Sequence, residues 1–124
     1  MAKKKVSKPT RNNGSVKNNI FTFGKYKKVE GGKTKKGKHP KLIVDENKTQ
    51  FGFMGLTESR KRGHHKNIEL SKNPEKGNYK TAYIRKELRY DDKENFYEKL
   101  KNYNLSEKDK KAILKYLENL KKKK

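Results

Sequence analysis

Leu42-Ile43-Val44-Asp45-Glu46-Asn47-Lys48-Thr49-Gln50-Phe51-Gly52-Phe53-Met54-Gly55-Leu56 is the stretch whose reading decides the fold. A short aliphatic run, Leu42 to Val44, meets the turn-forming Asp45 to Lys48 and then a second apolar run in which Gly52 and Gly55 mark bends or bulges. The two runs read as a β-hairpin, so the most apolar part of the chain is strand.

Working outward, Ile20 to Tyr26 is rich in aromatic and β-branched residues and reads as a first strand, followed by a flexible basic loop from Glu30 to Lys38. Downstream, Thr57 to Asn67 is polar and basic, hence a loop. Ile68-Glu69-Leu70 is a brief strand, Asn73-Pro74-Glu75-Lys76-Gly77-Asn78 carries turn chemistry, and Thr81 to Leu88 is extended. Asp92 is expected to open a helix with Phe96 and Leu100 on one face and Tyr97 and Tyr103 flanking it. Ser106-Glu107-Lys108-Asp109 has the form of a helix N-cap, and Ile113, Tyr116, Leu117 and Leu120 follow at amphipathic spacing. Lys121 to Lys124 complements the negative end of that helix.

Five short strands followed by one or two helices make the expected fold class mostly β with C-terminal α: a small curled sheet or β-barrel closed by a helix. A helix-turn-helix is excluded, because the apolar pattern ahead of the final helix is mostly strand-like.

The chain has 124 residues and a formal charge of +22, from 36 Lys and Arg against 14 Asp and Glu, with 28% hydrophobic residues. So few apolar residues support one small core. Residues 1–38 hold 13 of the cations against a single acid, Glu30, and residues 1–17 are expected to be a basic, disordered arm. The remainder divides into a β-barrel over 18–90 and a helical segment over 91–124 packed on it. There is no cysteine, which removes thiol catalysis, disulfides and every cysteine-containing metal site. No run approaches the roughly 20 apolar residues of a membrane span, and no apolar signal segment follows Met1, so the expected location is the cytoplasm. The charge imbalance holds along the whole chain and points to an anionic partner, nucleic acid before an acidic membrane surface, since no segment pairs a basic face with a strongly apolar one.

The densest cluster of reactive side chains runs from Gly55 to Asn67, at the exit of the most apolar strand. Arg and Lys there could stabilise a pentacovalent phosphate, His could exchange protons, and RNA supplies its own nucleophile, the 2′-hydroxyl. The plainer reading is a solvated basic loop that touches phosphates only. His64-His65 makes a poor metal site, because neighbours in an extended segment point to opposite faces. Tyr26, Tyr79, Tyr83 and Tyr90 read equally as base-stacking platforms and as core-edge residues. Gly31, Gly32 and Gly37 lie among lysines without the Walker pattern, and no carboxylate pair of the glycosidase kind is present.

The order of features resembles the MazF/PemK family of toxin endoribonucleases, in the stretches Ile20 to Tyr26, Gly37-Lys38-His39-Pro40-Lys41-Leu42-Ile43-Val44, Phe53 to Lys61, Ile68 to Leu70 and Thr81 to Leu88. The Leu-Thr, Ser, Lys, His cluster is similar also to the ToxN group. The resemblance spans about residues 18–120 and implies an SH3-like barrel with a terminal helix, cleaving RNA with neither metal nor cofactor. Thr57 matches the family's active-site Thr, whereas His39 stands where the family has Arg before Pro. Under this resemblance Thr57 and Ser59 orient the phosphate and His39 or Arg60 supplies proton transfer or a cationic donor. Lys38, Lys61, Arg62, His64, His65 and Lys66 hold the RNA backbone. It also implies a homodimer and an antitoxin of RNA or protein as partners. The alternatives are a non-enzymatic nucleic-acid-binding protein of a mobile element or ribonucleoprotein, and an electrostatic inhibitor of a nucleic-acid enzyme.

Overall fold

The computed structural model describes residues 19–36 and 39–122; the expected basic arm over 1–17 and Lys38 lie outside the described residues. Among those residues the chain is mostly antiparallel β-sheet with one C-terminal helix. Its strands are β1 (Phe23–Glu30), β2 (Lys33–Lys36), β3 (Lys41–Glu46), β4 (Gln50–Thr57), β5 (Lys61–Arg62), β6 (His65–Lys66), β7 (Ile68–Glu69), β8 (Tyr83–Ile84), β9 (Arg89–Asp92) and β10 (Phe96–Lys99). The helix α1 spans Glu107–Lys122.

The hairpin read from Leu42 to Leu56 is β3 and β4, with Leu42 opposite Met54 and Ile43 opposite Phe53. The register shifts between Ile43 and Asp45, so Val44 is an extra, buried residue that bends β3. The basic loop expected over residues 30–38 is instead largely a second hairpin. Strands β1 and β2 pair from Glu30 opposite Lys33 to Lys27 opposite Lys36, across Gly31 and Gly32 at φ 57° and 78°. A two-residue hairpin turn needs that left-handed backbone at both positions, which two glycines supply without steric cost.

The main sheet runs β10-β1-β3-β4-β8-β7, with β9 also on β4 and β2 also on β1. In a flat sheet β10 and β4 would lie three strand spacings apart, roughly 14 Å. Phe96 of β10 nevertheless has its ring 5.3 Å from that of Phe51 and 5.0 Å from that of Phe53 on β4. The sheet is therefore strongly curled, with Tyr26, Phe51, Phe53 and Phe96 inside the curl. The three-residue turn Lys93–Asn95 that joins β9 to β10 connects strands from opposite sides of the sheet only because of this curl.

Alternation puts Leu42, Met54 and Leu56 on the other face, in a core with Phe23, Leu70, Ile84, Leu105 and Ile113. Helix α1 covers it. Asp109 N–H donates to the Ser106 hydroxyl at 3.2 Å, and the buried Asp109 carboxylate accepts from the Ser71 N–H at 2.8 Å. Cap and carboxylate thus anchor the helix start to the chain leaving β7.

The helix expected from Asp92 is absent: residues 96–99 are strand β10, paired with β1. Spacing of four puts two residues on one face at a period of 2 as well as at 3.6, so the pattern fits both structures; the register shift between Phe96 and Glu98 then sends Leu100 to the core beside Phe23. Burial of Phe96 among the three other rings selects the strand. Among the described residues no helix is long and apolar enough to cross a membrane.

Candidate functional site

Strand β4 is paired near its C-terminal end with β8, Leu56 opposite Ile84, and in its N-terminal half with β9, Arg89 opposite Phe53. Between these pairings the chain leaves the sheet. Arg85 N–H donates to the Gly55 carbonyl at 2.9 Å, Lys86 to Leu88 belong to no strand, and Arg89 begins β9, so two arginines flank the break. Lys41, opposite Gly55 in β3, comes from the other side.

Gly55 makes the meeting possible. A Cβ there would stand 3.3 Å from Arg85 Cδ and 3.7 Å from Lys41 Nζ, so both side chains lie across space that any other residue would fill. The Arg89 guanidinium sits 5.8 Å from the centre of the Phe53 ring, at the range of a cation–π contact. His39 and Glu87 complete a depression of about 430 Å³ at the end of the curled face. Burial pushes the Lys41 ammonium below the ordinary lysine value; the charges of Arg85 and Arg89 push the same way, and Glu87 opposes them. A desolvated lysine between two guanidinium groups is a costly arrangement that an anionic ligand would relieve.

Of the residues singled out from sequence, His39 lines this depression. The Pro40 carbonyl accepts from Leu56 N–H at 3.0 Å, which fixes His39 beside the end of β4. Thr57 is only 4% exposed, and its hydroxyl accepts from Ser59 N–H at 3.1 Å. Ser59 and Arg60 are exposed at the foot of the β5–β6 hairpin, where their carbonyls accept from the Asn67 side chain at 2.9 Å and its N–H at 3.0 Å. Lys61, His64, His65 and Lys66 are exposed on that hairpin, and Arg62 pairs with His65 in its register.

A second depression, about 410 Å³, is lined by Gly63, His65, Asn67, Arg85, Lys86 and Glu87. Arg85 and Glu87 belong to both, so the hairpin and the basin around Gly55 form one continuous surface. Thr57, Ser59 and Arg60 line neither depression. Among the described residues no three of His, Asp and Glu come together as a metal site.

Sequence reasoning missed Lys41, Arg85 and Arg89. The signal was present: in an extended segment Arg85, Glu87 and Arg89 alternate onto one face, and all three line the basin. The four tyrosines separate clearly. Tyr26 and Tyr83 are buried, Tyr90 donates to the Asp45 carboxylate at 2.5 Å, and Tyr79 is 97% exposed. That hydrogen bond, with burial and the Asp45 charge, pushes the Tyr90 phenol up to about 12.

No protein-family model, curated protein or solved structure matches this chain.

Proposed function

We propose that this chain binds RNA across its basic face and cleaves it without a metal ion at the basin around Gly55. The observation that carries the reading is the meeting of Lys41 and Arg85 across Gly55 in a depression that Arg89 and His39 also line. The RNA 2′-hydroxyl attacks the adjacent phosphorus and the P–O5′ bond breaks, leaving a 2′,3′-cyclic phosphate and a 5′-hydroxyl. Arg85 and Arg89 stabilise the added negative charge of the phosphorane. Lys41, whose proton is held less tightly than usual, and His39 are the groups for removing the 2′ proton and returning one to the leaving oxygen. The hairpin cations hold the neighbouring phosphates.

The curled order β9-β4-β3-β1-β10, with a three-residue 3-10 link between its end strands, supports reading the sheet as an SH3-like barrel. That is the architecture implied by the resemblance to MazF/PemK toxins. One observation favours a second reading, binding without cleavage: Thr57, which matches the family's active-site Thr, is buried with its hydroxyl engaged inside the chain.

Incubation of the purified protein with a long single-stranded RNA in EDTA, beside R85A, separates the two. Discrete fragments with cyclic phosphate ends that vanish in the variant are expected. Intact RNA with a salt-dependent mobility shift would leave only the binding protein.

A further inference from the structure

Tyr79 is the most exposed large hydrophobic side chain among the described residues, 97% against 62% for Val29. Its loop, between β7 and β8, is firmly built. The Asn73 amide donates to the Lys80 carbonyl at 2.8 Å and its oxygen accepts from Glu75 N–H at 2.9 Å. Lys80 N–H donates to the Asn78 side chain at 3.0 Å, and that side chain donates to Glu75 at 2.9 Å. From outside, the Pro74 carbonyl accepts from Asn104 N–H and Lys76 N–H donates to the Asn102 carbonyl, both at 2.9 Å. An aromatic ring left in water by an ordered loop contributes nothing to the core and leaves its faces open to a planar partner.

Lys72, Lys76 and Lys80 line, together with Tyr79, a depression of about 580 Å³. Its acids are Glu69 and Glu75, the latter held by Asn78. Tyr79 and Arg85 are six residues apart, so at most about 20 Å of chain separates them. A separation of that size is within the length of a strand of roughly four nucleotides or more.

We propose that Tyr79 is a stacking platform for an unpaired base, a binding subsite apart from the basin and the β5–β6 hairpin. The inference rests on the nucleic-acid reading above and adds a site to it. A duplex keeps its base faces stacked on one another and offers the ring nothing to lie on, whereas a single strand offers a π-face at every position.

The chain contains no tryptophan, so Y79W carries a single indole fluorophore. Dye-labelled 2′-O-methyl RNA, which cannot be cut, is titrated into this variant as a single strand and as a duplex, reading dye anisotropy and indole emission together. Quenching of the indole by the single strand alone is expected. Y79A is expected to weaken single-strand binding about 5- to 150-fold while leaving duplex binding unchanged. Anisotropy changes without quenching, single-strand affinity unaltered in Y79A, or equal quenching by the duplex would overturn the proposal and leave the polyanion reading standing. No anisotropy change with either RNA would overturn both.

Discussion

The basin around Gly55 and the β5–β6 hairpin are both basic, and they adjoin at Arg85, yet they hold their charges in opposite ways. In the hairpin Lys61, His64, His65 and Lys66 stand in solvent, where salt screens each charge over about 8 Å under physiological conditions. In the basin three cations from separate strands line one depression, Lys41 opposite Gly55 and Arg89 opposite Phe53, and Lys41 is partly stripped of water. Solvated charge attracts a polyanion from a distance and in any register. Crowded, desolvated charge opposes folding and is relieved only when one phosphate sits among the cations.

If that difference separates chemistry from attraction, its largest consequence is in catalysis. R85A removes a guanidinium aimed at the phosphorane, and single-turnover cleavage of a short RNA should fall about 10²- to 10³-fold at saturating protein. The double variant K61A/K66A should cleave at nearly the wild-type rate once saturated, because its lost contacts bind ground state and transition state alike. Equal losses in the two variants would erase the distinction between the regions.

The hairpin of β3 and β4, the helix α1 and its cap were legible because each is a local pattern: an alternation, a turn, a periodic apolar face. Strand β10 was not, since Phe96 and Leu100 suit two periods and only the ring cluster made by the curl decides between them. The site divides in the same manner. The hairpin cations are contiguous in sequence and visible as a run. Lys41, Arg85 and Arg89 each look like ordinary surface charge until strand pairing brings them to one depression. His39 was found through its place before Pro40, and Thr57 through a motif that says nothing of its burial.

Gly55 offers a way to disturb the basin without removing a charge. In G55A the new methyl must displace Arg85 Cδ from 3.3 Å, and the arginine, being flexible, can yield. Cleavage should fall about tenfold while the thermal midpoint stays within a few degrees, an activity effect of about 1.4 kcal/mol. Hairpin charges should show the smaller, graded effect of screened contacts. K61Q and K66Q should each cost a few-fold in affinity, and each should lower the slope of log K against log salt by roughly 0.7 for a single strand.

The smallest effect discriminates most sharply, because it is expected in the basin and not in the hairpin. Lys41 keeps its proton less tightly in the folded chain than at the ordinary value of 10.5, so the unfolded chain binds more protons. Its contribution to stability therefore rises with pH across the window below 10.5, and at neutral pH the charged Lys41 opposes folding. K41M keeps the stem and removes the charge, so it should raise stability at pH 7 while cleavage is lost. In urea melts the gain should shrink as pH approaches 10.5. Tyr90 runs the other way: with its phenol pushed up to about 12, the stability it supplies is complete below pH 10 and lost between pH 10 and 12. Y90F should thus remove the alkaline loss and leave the Lys41 window intact, keeping the two titrations apart. Hairpin variants such as K66Q should move stability by less than about 0.5 kcal/mol at any of these pH values. If K41M proves destabilising at pH 7, the basin is held together by its lysine, and charge crowding there is not a cost that a ligand must repay.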